Sequence, residues 1–196
     1  MPEAGVCAIV LAAGQGSRYR AAGGADKLLA ASLAAVSSPP VLAATLANLR
    51  GVAERLLVVT RADNLPLRDW LSANAADCEV LALESRGLGH SLAQAVAQAP
   101  AGRGWLVALA DMPYVQPRTL HEIAAAIRED NLVVPTYDGR PGHPRGIGSA
   151  HRDALLQLDG DRGAQVLFAA HAVLELALND PGVLQDIDHP ADHRPH

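Results

Sequence analysis

Short apolar, β-branched runs alternate along this chain with longer stretches whose apolar residues recur every three or four positions. The runs Val6–Leu11, Arg55–Thr60, Glu79–Leu83, Trp105–Ala110, Leu132–Pro135 and Val173–Leu178 predict strands, and the stretches Val41–Arg50, Pro66–Ala75, His90–Ala99, Pro117–Glu129 and Gly163–His171 predict helices. Pro66 and Pro117 stand where a helix can begin without losing a hydrogen bond. The strand runs are continuous rather than alternating, which suits strands buried on both faces. The pattern therefore predicts an α/β fold of three layers, helices on both sides of a mostly parallel sheet. Two segments break it. Thr136–Ser149 (TYDGRPGHPRGIGS) is dense in Gly and Pro and reads as a loop over the sheet's C-terminal edge, where open α/β folds bind ligands. The tail beyond Asp188 is polar and reads as frayed.

Composition narrows the picture. The 196 residues suit one domain, 1–196, rather than two. Aromatics are only 3%, so Ala, Leu and Val must build the core. The net charge is -5 and no Lys/Arg cluster occurs, which argues against a nucleic-acid partner. No apolar stretch reaches about 18 residues, so no membrane span is expected, and the N-terminus lacks the signature of a signal peptide. Cys7 and Cys78 are isolated, as buried thiols of a cytoplasmic protein would be.

The candidate chemistry begins where the first strand run ends, in Leu11-Ala12-Ala13-Gly14-Gln15-Gly16-Ser17-Arg18, with Lys27 behind it. A buried strand feeding a bare-backbone loop offers N–H groups to a phosphate chain, and Arg18 and Lys27 would neutralise its charge. The loop is not a dinucleotide fingerprint, because Tyr19 replaces the third glycine, nor a Walker loop, because Asp26 and Leu28 flank Lys27. A plain glycine-rich turn is the alternative. In Leu106–Pro113 a buried run ends in Asp111, a carboxylate placed to hold Mg²⁺ against a triphosphate or simply to cap a turn. Asp186 and Asp188 share a face if their segment is extended. They would then complete a metal site with Asp111, or else form a solvated acidic turn. Gly87-Leu88-Gly89-His90-Ser91-Leu92 reads as a loop entering a helix whose first amides and Ser91 hydroxyl would meet a base or ribose. It is also a near miss to a serine-hydrolase elbow, interrupted by Glu84–Leu88 and by Ala93 in place of the last glycine. His143 is a candidate substrate contact. His121, His151 and His171 read as surface or packing residues, and His189, His193 and His196 as a solvated tail.

Taken in order, these segments resemble the molybdenum-cofactor cytidylyltransferases, a branch of the MobA-like NTP transferase superfamily. Gly142-His143-Pro144, Gly160-Asp161-x-Gly163-Ala164 and Asp186-Ile187-Asp188-x-Pro190-x-Asp192 continue the match, which runs from about residue 6 to residue 192. The resemblance implies a Rossmann-like, GT-A-like nucleotidyltransferase fold. It implies that Leu11, Ala12, Ala13, Gly14, Gly16, Ser17 and Arg18 surround a nucleotide, with Arg18 and Lys27 on its phosphates. Asp111, with Asp188 and Asp186, would hold Mg²⁺, so that Arg18, Lys27 and Asp111 carry the catalysis. Gly87, Gly89, Ser91 and Leu92 would select the base. Gly142, His143, Pro144, Asp161 and Gly163 would face a molybdopterin-type acceptor. The chain departs from the family pattern in the long stretch Tyr19–Asp26, which leaves open whether Arg18 or Arg20 meets phosphate, and in His189, where threonine is usual. The sibling guanylyltransferases usually read Leu-Ala-Gly-Gly where this chain reads Leu-Ala-Ala-Gly. The extra methyl at Ala13 narrows the pocket and favours CTP over GTP.

The implied reaction is transfer of CMP from CTP to the acceptor phosphate with release of pyrophosphate. The rival readings are guanylyl transfer, transfer to another phosphorylated small molecule, hydrolysis at Ser91, and a non-catalytic nucleotide sensor or chaperone. A molybdoenzyme or its chaperone is the macromolecular partner such a role implies.

Overall fold

A computed structural model describes residues 5–21, 26–32 and 38–193, the side chains of Arg18 and Arg20 excepted. The chain runs β1 (Val6–Ala12), α1 (Ser17–Ala21), α2 (Val41–Leu49), β2 (Arg55–Arg61), α3 (Leu65–Asn74), β3 (Glu79–Leu83), α4 (Leu88–Gln98) and β4 (Gly104–Leu109). It continues through α5 (Pro117–Ala126), β5 (Leu132–Tyr137), β6 (Arg140–Pro141), β7 (Arg145–Gly148), α6 (Arg152–Leu156), α7 (Gln165–Ala170) and β8 (Leu174–Ala177).

The strands form one sheet in the order β3-β2-β1-β4-β7-β5-β6, with β8 paired to β5. The pairs β1/β2, β1/β4, β2/β3 and β5/β8 are parallel; β7 runs antiparallel to both β4 and β5. Alternation along β1 shows the three layers. Val6, Ala8, Val10 and Ala12 pack with residues of α2, α3 and α5, while Cys7, Ile9 and Leu11 pack with residues of α4, α6 and α7. Small residues at Ala8 and Ala12 let helices approach the sheet closely, which a chain poor in aromatics requires. Trp105, fully buried, satisfies its indole N–H on the Ala99 carbonyl at 2.8 Å. Among the described residues no helix is long and apolar enough to cross a membrane.

From β1 the chain crosses first to β2 and β3 on one side, then back to β4 on the other, so the strand order reverses between β1 and β4. Loops leaving the C-terminal ends of those two strands must part there and leave a crevice. The loop after β4 is held from below. The Thr45 hydroxyl of α2 donates to the Val41 and Ala110 carbonyls, and the Asn48 amide donates to the carbonyls of Pro113 and Val115.

Two expectations are corrected. The Gly/Pro-rich segment is not simply a surface loop, because Arg145–Gly148 is an interior strand between β4 and β5. Its glycines serve close packing. A Cβ on Gly146 would lie 2.7 Å from the Ile127 side chain, and one on Gly148 2.2 Å from the Arg128 carbonyl oxygen. Nor does the tail fray through His193. Pro190–Asp192 form a 3₁₀ turn, and the Asp192 carboxylate accepts from the amides of Asp188 and His189 at 3.0 and 2.6 Å. His193 is buried, with Nε2 2.8 Å from the Tyr19 hydroxyl.

Candidate active site

The loop following β1 and the loop following β4 meet at the crevice. A cleft of about 660 Å³ opens there, lined by Leu11, Ala13, Gly14, Gln15 and Ser17 from one side and by Leu109 and Asp111 from the other. Arg61, Ser85, Arg86, Gly87, Leu88, Ser91 and Asp161 complete its walls. Its size matches that of pockets for nucleotide-sized ligands. A contiguous smaller recess is lined by Ala12, Gly16, Lys27 and Asp111 among others.

Gly16 turns the loop with a φ of 58°, a conformation that glycine adopts without strain. Lys27 is fixed by its neighbours. Asp26 accepts from the Leu28 amide through one oxygen and from the Asn64 side chain through the other, each at 2.9 Å, and Leu28 is buried. This Asx turn is a positioning feature that the sequence reading passed over; Asp two residues before an amide it can cap is the signal that would have found it.

Lys27 Nζ donates to Asp111 Oδ2 at 2.5 Å and to Asp188 Oδ1 at 3.5 Å. Burial alone would lower this ammonium's pKa, but the charges and hydrogen bonds of Asp111 and Asp188 outweigh it and hold the pKa above its ordinary value. Asp111, Asp186 and Asp188 each bring a carboxylate oxygen within 4.8 Å of the others. Ile187 makes this possible. Its amide donates to the Asp111 carbonyl at 3.0 Å and its side chain is fully buried, so the residues on either side are held beside Asp111. Asp186 reaches solvent, yet partial burial and the like charges of Asp111 and Asp188 raise its carboxyl pKa above the usual range. Asp111 Oδ1 is buried without a hydrogen-bond partner. An orphaned carboxylate oxygen, two more carboxylates beside it and an all-oxygen donor set fit a hard divalent cation such as Mg²⁺.

Gly87 and Gly89 have a packing reason to be glycine. Gly87 has a φ of 128°, and a Cβ there would lie 2.4 Å from the Gly160 backbone; the Gly89 amide donates to the Gly160 carbonyl at 2.7 Å. The start of α4 is thus docked on the Gly160–Asp161 turn. Ser91 is 1% exposed, and its hydroxyl donates to the Gly87 carbonyl at 3.0 Å and lies 2.8 Å from Ser85 Oγ. A hydroxyl so engaged, inside a helix, is not presented as a hydrolase nucleophile. Leu92 is buried in the core, and Gly163 packs against Leu88. Asp161 lines the cleft, whereas Gly142, His143 and Pro144 lie beyond Leu109 on the β7 side. Arg61, Ser85 and Arg86 are cleft residues that the sequence reading did not single out. The side chains of Arg18 and Arg20 lie outside the described residues.

His143 is mostly buried. Desolvation, reinforced by the nearby Arg145 charge, lowers its pKa from 6.5 to about 4. The unfolded chain therefore takes up a proton near pH 6.5 that the folded protein refuses until about pH 4. Stability from this group is complete above pH 6.5, falls through that window, and its loss levels off below about 4. Between pH 7 and 4 the protein is expected to lose about 3 kcal/mol more stability than the His143→Gln variant. Urea titrations across that range measure this; parallel pH profiles would contradict it.

The MobA-like NTP transferase domain is the family whose model matches this chain, over residues 8–175. Rv0371c from Mycobacterium tuberculosis H37Rv has the same fold, with a TM-score of 0.80 and 28% identity over 96% of each chain. Its complex with manganese superposes with a TM-score of 0.75 at 27% identity, again over 96% of each chain. A nucleotidyl transferase from Methanothermobacter thermautotroptrophicus, Mth528, matches at 25% identity over 96% of this chain and 94% of its own, with a TM-score of 0.77. No curated protein sequence matches the chain.

Proposed function

This chain belongs to the family of the MobA-like NTP transferase domain, and from that premise we propose that it transfers CMP from CTP to the phosphate of a molybdopterin-type acceptor, releasing pyrophosphate. The observation that carries the reading is the convergence of the glycine turn after β1 and Asp111 after β4 on one cleft at the strand-order reversal. The triphosphate lies along the Gly14–Ser17 amides, and the acceptor enters from the Asp111 side. An acceptor phosphate oxygen bonds to the α-phosphorus as the bond from that phosphorus to the bridging oxygen breaks, and pyrophosphate leaves with that oxygen. The attacking phosphate is already anionic, so no general base is needed. Catalysis is positioning and charge stabilisation.

Asp111, Asp186 and Asp188, whose carboxylate oxygens lie close together, would hold Mg²⁺, which would supply Lewis-acid stabilisation of charge on the phosphoryl oxygens. The manganese complex of Rv0371c supports a divalent-cation requirement. Lys27 neutralises charge on the leaving pyrophosphate. Ala13, on the cleft wall, narrows the base site toward a pyrimidine. A molybdoenzyme or its chaperone then receives the product.

A thermal-shift panel of CTP, GTP, ATP and UTP with Mg²⁺ tests the nucleotide assignment. CTP at about 100 times its Kd stabilises the protein by about 2.7 kcal/mol, and it is expected to give the largest shift at equal concentration. A larger shift with GTP would assign guanylyl transfer, and no shift with any nucleotide would overturn the reading.

A further inference from the structure

We propose that Tyr19 and His193 form a latch that positions Asp188, so that this pair sets how tightly the carboxylate cluster takes a divalent cation. The proposal rests on the assignment of Asp111, Asp186 and Asp188 to the metal and deepens it, naming two positioning residues outside the carboxylates themselves.

Asp188 has no strand or helix to hold it. Asp111 sits two residues beyond β4, whereas residues 185–188 have no regular secondary structure. Before Asp188 the chain is pinned through Ile187, whose amide donates to the Asp111 carbonyl and whose side chain is fully buried. After it, the Asp192 carboxylate accepts from the Asp188 and His189 amides, which ties Asp188 to the 3₁₀ turn Pro190–Asp192. That turn and Asp188 form one unit, and the unit needs its own attachment to the body of the protein. Two side chains supply it. The Tyr114 hydroxyl reaches the Asp192 carbonyl at 3.3 Å, a long contact beside its shorter one of 2.7 Å to the Ser32 carbonyl. The closer attachment is His193, whose Nε2 lies 2.8 Å from the Tyr19 hydroxyl, with the two rings edge to face and their centres 5.6 Å apart. Tyr19 belongs to α1, just past the glycine turn. A recess of about 160 Å³ is lined by Gly16, Ser17, Tyr19, Lys27 and Asp188, so the latch and the carboxylate border one space.

The latch works against a repulsion. Asp111, Asp186 and Asp188 bring carboxylate oxygens within 4.8 Å of one another, and like charges at that range repel. Lys27 offsets part of this through Asp111 and Asp188. The remainder must be opposed by whatever holds residues 186–193 down. Tyr19 and His193 are only 5% and 7% exposed, and His193 Nδ1 is buried without a hydrogen-bond partner. The Tyr19 hydroxyl is therefore the one hydrogen-bond partner of this imidazole among the described residues. Without it both ring nitrogens are buried unpaired, a cost that turning the ring out to water relieves. The end of the segment then comes free, and repulsion moves Asp188 away from Asp111.

The test measures the Mn²⁺ affinity of the protein without nucleotide, from the electron paramagnetic resonance signal of the free ion. Tyr19→Phe and His193→Leu each leave one buried polar partner unpaired, and each is expected to weaken Mn²⁺ binding about three- to tenfold. The double variant Tyr19→Phe/His193→Leu replaces both partners by an apolar pair, and it is expected to bind within about twofold of wild type. In the single variants the Mg²⁺ concentration for half-maximal pyrophosphate release rises in parallel. Circular dichroism and thermal melts check the fold. A contact with only a structural role would lower the melting temperature and leave Mn²⁺ affinity unmoved. That result, additive weakening in the double variant, or no Mn²⁺ binding by the wild-type protein at millimolar concentration would overturn the proposal. Mn²⁺ affinity that depends on the latch, with no pyrophosphate released from any nucleotide, would sink the transfer reading and leave the latch standing.

Discussion

Replacing Asp111 with Asn is expected to lower pyrophosphate release by about 10³-fold while leaving the fold intact. Asn preserves the shape of a side chain wedged at the end of β4, and the Ile187 amide still bonds the backbone carbonyl. What disappears is the charge. The carboxylate has one oxygen bound to Lys27 Nζ and the other buried and unpartnered, so in the proposed site it would anchor the divalent cation. CTP binding measured without metal is expected to change little, because the proposed site for the triphosphate is the loop on the β1 side. Turnover within tenfold of wild type, with normal Mg²⁺ dependence, would remove Asp111 from the chemistry.

The second large effect is expected at Lys27. Lys27→Met should slow turnover by about 10²-fold, the usual size for losing one charge-stabilising group. It should also bind Mg²⁺ or Mn²⁺ more tightly than wild type without nucleotide. The reason is geometric. Lys27 Nζ lies between Asp111 and Asp188, so in the free protein it is an internal counter-ion of two of the carboxylates proposed to bind the metal. Removing it takes from Asp111 and Asp188 the ammonium that contacts both, and with it a competitor for the cation. Calorimetry with Mg²⁺ measures the affinity, and a pyrophosphate assay the rate. Weaker metal binding would show that Lys27 orders the site rather than competing for it, and a rate within a few-fold of wild type would exclude its role in transfer.

Much of this architecture was legible in the sequence because most central strands are buried on two faces. Val6–Leu11 and Trp105–Ala110 carry helices on both sides and therefore read as unbroken apolar runs. The Arg145–Gly148 strand did not, because the elements around it approach so closely that only glycine fits at positions 146 and 148. Composition pointed to a loop, and tertiary packing decided otherwise. The tail was misread for a similar reason. Its residues are polar, but Asp192 caps two amides of its own turn, and His193 is covered by Tyr19 from the opposite end of the chain. Local chemistry was easier to read. The Leu11–Ser17 turn, Lys27 and Asp111 were visible as a strand end, a glycine loop and a strand-terminal carboxylate, and Asp186 and Asp188 by their spacing of two. Gly87 and Gly89 show where such reasoning was incomplete. Read as base contacts, they also have a structural duty against Gly160.

Whether a single cleft joins nucleotide and acceptor is measured directly by a stoichiometric assay with CTP labelled at the α-phosphate, Mg²⁺ and molybdopterin. The expected result is one pyrophosphate released for each labelled, cytidylylated acceptor found by mass spectrometry, and none without acceptor. Label that never leaves CTP, or pyrophosphate released equally without acceptor, would contradict it.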